Sequence, residues 1–188
     1  MVKPHLENID PLQIYMHALG FHAAEDALGH LTLGPNTQLA GQVAQPCMAV
    51  SALTSELFFK CLVCIETSRT PKGHHLFELF GLLAPETRSK IVHLWDAHVV
   101  PHRKAMWDTI DQHHQEAKIS RDLPGALLAS SRAFETIRYN YEPDNQASEF
   151  NIGDLPRVLR RVVLQMKPEW ANLGRGIKPV PGFRHGQK

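Results

Sequence analysis

Apolar residues recur at helical spacing along most of the chain. Asp10-Pro11, an N-cap aspartate followed by a proline at the first helical position, predicts the start of the first helix. A longer run from about Leu39 to Ser68 is apolar on nearly every side between Val50 and Ile65, which predicts a buried central helix. Pro46 predicts a kink or a later start of that helix. The expected apolar stripe of the first helix comprises Leu12, Tyr15, Met16, Leu19, Ala23 and Ala27.

Prolines and acidic residues mark the remaining helices. No long alternating pattern of a strand and no internal repeat appears, so the fold class is all-α, an antiparallel helical bundle with extra peripheral helices. Pro101 predicts a kink or a junction between two helices, because proline removes a backbone hydrogen bond. The other predicted segments are a short helix from His74 to Leu83, helices starting at Ala84-Pro85-Glu86 and Asp122-Leu123-Pro124, the latter reaching about Tyr141, and a last helix from Asp154-Leu155-Pro156.

Composition limits the class of protein. The 188 residues suit one domain, which we place at residues 1–168, followed by a basic Gly/Pro-rich tail at 169–188. Lys and Arg number 20 and Asp and Glu 19, so any nucleic-acid site must be a local patch. The sequence shows no apolar run of about 18 residues, the length needed to span a bilayer, and its N-terminus lacks a secretory pattern. These two observations predict a cytoplasmic protein without a membrane partner.

The cysteines and histidines give no metal or cofactor prediction. Cys61-x-x-Cys64 has the spacing of metal ligands, but on an apolar helix it more often fills the core, and no second ligand pair follows. His93, His98 and His102 lack an acidic residue to complete a usual ligand set. The chain contains no P-loop, dinucleotide glycine fingerprint, nucleophile elbow or His-Glu-x-x-His motif.

Three short motifs carry the candidate chemistry. Glu56-Leu57-x-x-Lys60 places an acid and a base four residues apart on the central helix, and His74-His75-Leu76 follows a tight turn. Phe134-x-x-x-Arg138-Tyr139-x-Tyr141-Glu142 lies near the end of a later helix. Together, over about Ser51 to Glu142, these motifs resemble the HEPN superfamily (higher eukaryotes and prokaryotes nucleotide-binding), an all-helical group of ribonucleases, nucleotide binders and non-catalytic relatives.

The first two motifs have structural as well as functional interpretations. Glu56 and Lys60 can form an intrahelical ion pair worth a few tenths of a kcal/mol on a surface. The resemblance instead implies that they line a polar pocket between two central helices. His74 can cap free N–H groups at a helix start or face a ligand. HEPN-like chains usually have an aspartate after this histidine, and His75 replaces it here, which weakens the case for a polarised histidine.

The third motif departs from the pattern of HEPN nucleases. These carry an arginine, four to six residues and then a histidine; the resemblance implies that the arginine stabilises charge at phosphorus and the histidine acts on the 2′-hydroxyl. Arg138 has Asp144 and Asn145 in that window and no histidine. The same spacing occurs between Arg69 and His74 or His75, and between Arg88 and His93. Chance explains these occurrences as well as function does. Arg69 is the better candidate, because Arg88 and His93 are expected to diverge by about 140° around a helix.

The resemblance implies a HEPN-like protein that binds nucleotide or RNA in a polar cleft, as a homodimer, in a bacterial toxin–antitoxin or defence context with an antitoxin or other protein partner. Two alternatives stay open: a metal-independent endoribonuclease and a non-catalytic dimeric interaction module. The candidate catalytic residues are Arg138, His74 and Arg69, and the candidate ligand-binding residues are Glu56, Lys60, His74, Tyr139 and Glu142.

Overall fold

A computed structural model describes residues 9–113, 119–131, 137 and 150–173. Every regular element in these ranges is helical, so the all-α prediction is confirmed. A π-helical segment, Trp95–Val99, joins the fourth and fifth helices, and a 3₁₀ turn, Pro168–Asn172, follows the seventh. The α-helices are α1 (Pro11–Thr32), α2 (Thr37–Thr67), α3 (Leu76–Gly81), α4 (Pro85–Leu94), α5 (Val100–His113), α6 (Leu123–Ala129) and α7 (Leu155–Met166).

Helix α1 begins as predicted, and its buried face matches the predicted stripe only in part, at Tyr15 and Leu19. The Asp10 carboxylate accepts a hydrogen bond from the Leu12 backbone N–H at 2.9 Å, the usual contact of an N-cap. Met16 is 41% exposed, and Ala23 and Ala27 are also exposed. The buried face consists of Ile14, Tyr15, Ala18, Leu19, His22 and Glu25. This face packs against α2, so the polar side chains of His22 and Glu25 become part of the interior.

Helix α2 is the central element, as its apolar pattern predicts. It contacts α1, α3 and α7, and its buried residues lie between Ser51 and Cys64. Asn36 caps its start by accepting from the Leu39 N–H at 3.0 Å, and Pro46 lies inside the helix. Ser68 ends it in the left-handed conformation, with φ of 56°. The chain reverses direction at this residue and leads towards α3.

The length and composition of α2 also satisfy the simplest criteria for a membrane span. The helix Thr37–Thr67 has a mean hydropathy of 1.7 over its most apolar 18-residue window, contrary to the expectation that no segment of the chain is apolar enough. However, 61% of that window is buried inside the protein. A core helix of a water-soluble protein has the same property, so the hydropathy of α2 is weak evidence for a membrane.

Pro101 does not separate two helices. Helix α4, the π-helical segment and α5 follow one another without a break in helical structure. Within the π segment the Val100 N–H bonds to the carbonyl of Trp95, five residues earlier. Proline lacks an N–H and crowds the carbonyl four residues before it, and a wider π turn accommodates such a residue without ending the helix.

The helix after Asp122 is shorter than predicted. The Asp122 carboxylate caps it through the Gly125 N–H at 2.9 Å, but α6 ends at Ala129 and not near Tyr141. The following Ser131 carbonyl accepts a hydrogen bond from the Leu76 N–H at the start of α3, a tertiary contact that an uninterrupted helix would not make. Residues 132–136 and 138–149 lie outside the described ranges.

Helix α7 and the turn after it close the core. The apolar residues Val158, Leu159, Val162 and Val163 are buried, as the spacing predicts. The 3₁₀ turn then places the Trp170 ring 5.1 Å from the Tyr15 ring on α1, and Trp170 is 8% exposed. Packing therefore continues to the first residues after position 168. Residues 174–188 lie outside the described ranges, so the division between domain and tail stays a prediction.

The cysteine pair on α2 is part of the core. Cys61 is fully buried and Cys64 is 2% exposed. Their thiols donate to the backbone carbonyls of Pro11 and Ile9, at 3.5 and 3.4 Å, beside the start of α1. Burial, together with the neighbouring Cys64 and Asp10, raises the pKa of the Cys61 thiol to about 12. The core-filling interpretation of this pair is confirmed.

Candidate functional site

The centre of the candidate site is the carboxylate of Glu56 on α2. Its side chain is 4% exposed, and Oε1 lies 2.8 Å from the Lys60 Nζ, one helical turn further along. The Lys60 side chain is 13% exposed. Two charged groups so far from water are tolerated because each is the partner of the other. The pair is therefore an interior ion pair and not the surface pair that its spacing alone would allow.

The same oxygen of Glu56 also binds His74. The turn after Ser68 carries His74 back to α2, and its Nδ1 lies 2.9 Å from Glu56 Oε1. The imidazole itself is 59% exposed. Since α3 begins at Leu76 and its N-cap, His75, makes no side-chain capping bond, the expected capping role of His74 is wrong. The missing acid beside His74 is also replaced: Glu56, 18 residues earlier, supplies the carboxylate.

This arrangement orients one histidine nitrogen inwards and leaves the other for a ligand. When Nδ1 donates to Oε1, Nε2 is the nitrogen available at the exposed edge of the ring. Glu56 Oε2 and Ser55 Oγ are both buried and have no hydrogen-bond partner among the described residues. A carboxylate that holds an exposed imidazole is a common arrangement for proton transfer, and it also serves for hydrogen bonding to an anion.

Arg69 lies on the turn that leads to His74. Its side chain is exposed, and its backbone N–H donates to Thr67 Oγ1 at 3.2 Å. Lys72 is exposed on the same turn. Two exposed cations and an exposed histidine therefore lie within six residues of sequence, and the histidine contacts the buried Glu56–Lys60 pair.

The third motif lies outside the described residues. Arg138, Tyr139 and Glu142 belong to the range 138–149, so their predicted place in a cleft with Glu56 stays a prediction. Arg88 and His93, the alternative pair expected to diverge, both line a groove along α4 with Ser89, Val92 and Asp96.

Sequence reasoning missed a second group of polar residues. Arg157, Arg160 and Arg161 on α7 line a cavity together with His22 of α1. Their spacing of three and four residues along the polar face of an amphipathic helix was the signal that could have found them. His22 gave no such signal, because only the packing of α1 brings it to the cavity.

The described residues contain no group of three or more His, Cys, Asp or Glu side chains placed to hold a metal ion. Comparison with known proteins identifies no relative: no family model, no curated protein and no solved structure matches the chain.

Proposed function

We propose that the protein is a HEPN-like protein that binds nucleotide or RNA at the surface around His74. The observation that carries this proposal is the hydrogen bond between the buried Glu56 carboxylate and the exposed His74 imidazole. A buried acid that fixes an exposed histidine stabilises one orientation of the ring, and the orientation of an exposed ring matters most when it meets a ligand.

The charges near His74 favour a ligand with phosphate groups. Arg69 and Lys72 are exposed on the same turn, and Glu56 is buried and already paired, whereas the carboxylate of the exposed Glu78 lies close to Gly73. Two cations and an N–H donor are therefore available to a phosphate group, with Glu78 as an exposed anion beside them. In this proposal Glu56 and Lys60 position the site, and Arg138, Tyr139 and Glu142 complete it.

A second function, metal-independent RNA cleavage, draws on the same pair. His74 Nε2 would take the proton of a 2′-hydroxyl, whose oxygen attacks the adjacent phosphorus to form a 2′,3′-cyclic phosphate, while the 5′-oxygen leaves and takes a proton from water. Arg69 or Arg138 would stabilise the charge on the phosphoryl oxygens. The motif lacks an acid at position 75. Glu56 takes the place of that acid as the carboxylate partner of His74, which favours a role of His74 as a base.

The third possibility, a non-catalytic dimeric interaction module, draws on apolar side chains exposed along the α1–α2 hairpin. Leu33 is 88% exposed, and Phe21, Leu31 and Met48 are exposed as well. Exposed apolar surface of this kind is typical of protein contacts. The same proposal includes a homodimer, an antitoxin or other protein partner, a defence role and a cytoplasmic location.

The test uses His74 and its neighbour as a matched pair. Thermal shift and fluorescence titration with a nucleotide panel and a short RNA should show binding that His74→Ala weakens and His75→Ala does not. A ligand at a hundred times its dissociation constant adds about 2.7 kcal/mol to stability, a shift that is easily detected. Cleavage that resists EDTA and is lost in His74→Ala indicates the ribonuclease. Failure to bind any nucleotide or RNA leaves the interaction module and contradicts the proposal.

A further inference from the structure

The cavity between α1 and α7 has the composition of an anion site. It has a volume of about 310 Å³ and is lined by His22, Arg157, Arg160, Arg161, Leu164 and Gln165. The five α7 residues follow the three- and four-residue spacing of one helix face. The volume is at the lower end of the range for small-molecule sites. Three arginine side chains thus line a space whose size suits a small ligand.

Only one of these guanidinium groups is neutralised by carboxylates among the described residues. Arg157 lies 3.1 Å from Asp26 and 3.9 Å from Asp154, and the Asp26 hydrogen bond is the main reason that its pKa is raised. Arg160 and Arg161 form no ion pair with the described carboxylates. Within the same ranges the buried Arg160 Nε has no hydrogen-bond partner. A buried N–H of a cation is costly when unpaired, so a nearby anion would stabilise the charge of Arg160.

Hydrogen bonds to neighbouring residues hold two further side chains of the cavity, Arg161 and His22, in place. Arg161 Nη1 donates to His98 Nε2 at 2.9 Å, a contact that orients the guanidinium without neutralising it. His22 Nδ1 lies 3.0 Å from the buried Glu25 Oε2, so Glu25 is occupied and His22 Nε2 is the ring nitrogen left for the cavity. The cavity therefore presents oriented donors, and two of its three arginines have no carboxylate partner among the described residues.

We infer that this cavity binds a small molecule carrying a pyrophosphate or two adjacent phosphate groups. A guanidinium donates two parallel N–H bonds to a phosphate, so Arg160 and Arg161 can each bind one phosphate group while Arg157 lies at the rim. A compact cavity lined mainly by one helix suits a small ligand. A nucleic-acid strand usually binds along a long basic groove.

The cavity and the His74 site lie on different sides of α2. His22 packs edge-on against Phe58, with ring centroids 6.1 Å apart, whereas Glu56 faces His74. Positions 56 and 58 are about 200° apart around a helix of 3.6 residues per turn. The two sites can therefore be tested separately.

Calorimetry with inorganic pyrophosphate, with ATP and with a short RNA tests the inference on the full chain. The wild-type protein should bind pyrophosphate, and Arg161→Gln should weaken binding about tenfold or more, as expected for the loss of a charged hydrogen bond. Arg160→Lys, which keeps the charge and loses the fork, should weaken it less than Arg160→Gln. Lys90→Gln, which removes an exposed charge on α4, is the matched control and should leave the affinity unchanged.

Circular dichroism melting of each variant shows whether the fold is retained. Absence of pyrophosphate binding by the wild-type protein overturns the inference, and so does equal weakening by Arg161→Gln and Lys90→Gln. Binding of RNA without binding of pyrophosphate overturns it as well. So does a result in which His74→Ala loses pyrophosphate binding while Arg161→Gln keeps it. The comparison of Arg161→Gln with Lys90→Gln decides the inference whether or not RNA or nucleotide binds at His74.

Discussion

Glu56 Oε1 lies 2.9 Å from His74 Nδ1 and 2.8 Å from Lys60 Nζ, so one buried oxygen has two partners. One partner is nearly buried and the other is largely exposed, with 13% and 59% of the side chains accessible. The carboxylate therefore connects the interior of the helical bundle to its surface. This connection makes the stability of the fold and the orientation of His74 depend on the same side chain.

Removing one member of the Glu56–Lys60 pair should destabilise the protein more than removing both. Lys60→Met leaves a buried carboxylate with only His74, and Glu56→Met leaves a nearly buried ammonium group. Each single variant should lower the free energy of unfolding by about 3 kcal/mol, whereas the double variant should lose less than either single variant. Urea unfolding of the four proteins measures the coupling. Additive losses would show that the two charges act independently.

Trp170 should contribute to stability although it lies beyond the last predicted helix. Its ring packs on Tyr15 and is 8% exposed, so Trp170→Ala removes a large apolar contact. The expected loss is about 3 kcal/mol of unfolding free energy, measured by denaturant titration. Glu169→Ala, at an exposed neighbouring position, is the control and should change stability little. Equal stability of both variants would mean that the turn does not pack against α1.

The sequence predicts helices well and contacts between them poorly. Capping residues such as Asp10 and Asp122 act within three residues, so the pattern reveals the starts of α1 and α6. The bond from His74 to Glu56 depends on how the chain turns after Ser68, and no local pattern encodes that turn. The end of α6 was missed for the same reason, because Ser131 accepts a bond from a distant residue, Leu76. Local chemistry predicts the elements, while the candidate site arises from their packing.

The thiols should differ sharply in reactivity. Burial raises the pKa of Cys61 to about 12, and Cys64 is also buried, whereas Cys47 is only partly buried. At neutral pH, maleimide should label at most Cys47 in the folded protein and all three cysteines in denaturant. Mass spectrometry counts the labels, and Cys47→Ser should abolish the labelling of the folded protein, which is slow because burial and Glu25 raise the pKa of the Cys47 thiol. Rapid double labelling of folded Cys47→Ser would contradict the buried position of the pair.

Arg121 should make stability depend on pH in the acid range. It lies 2.7 Å from Asp111 Oδ2 and 2.8 Å from Asp108 Oδ1. Hydrogen bonds from Arg121 and then from the Ile119 N–H lower the pKa of Asp111, and those from Lys104 and then Arg121 lower the pKa of Asp108. Because both values are lowered by folding, their contribution to stability is complete above the unfolded value of about 3.9 and is lost as pH falls through the folded values.

The variant Arg121→Gln removes this contribution and keeps the Arg121 carbonyl, which accepts from Trp95 Nε1. At pH 7 it should be less stable than the wild-type protein, and the difference should shrink as pH falls below about 4, where the carboxylates become protonated. Denaturant unfolding at several pH values measures the difference. Lys90→Gln, which removes an exposed cation, should show no such convergence. A difference between Arg121→Gln and the wild-type protein that stays constant from pH 7 to about pH 3 would show that Arg121 does not stabilise these carboxylates in their charged form.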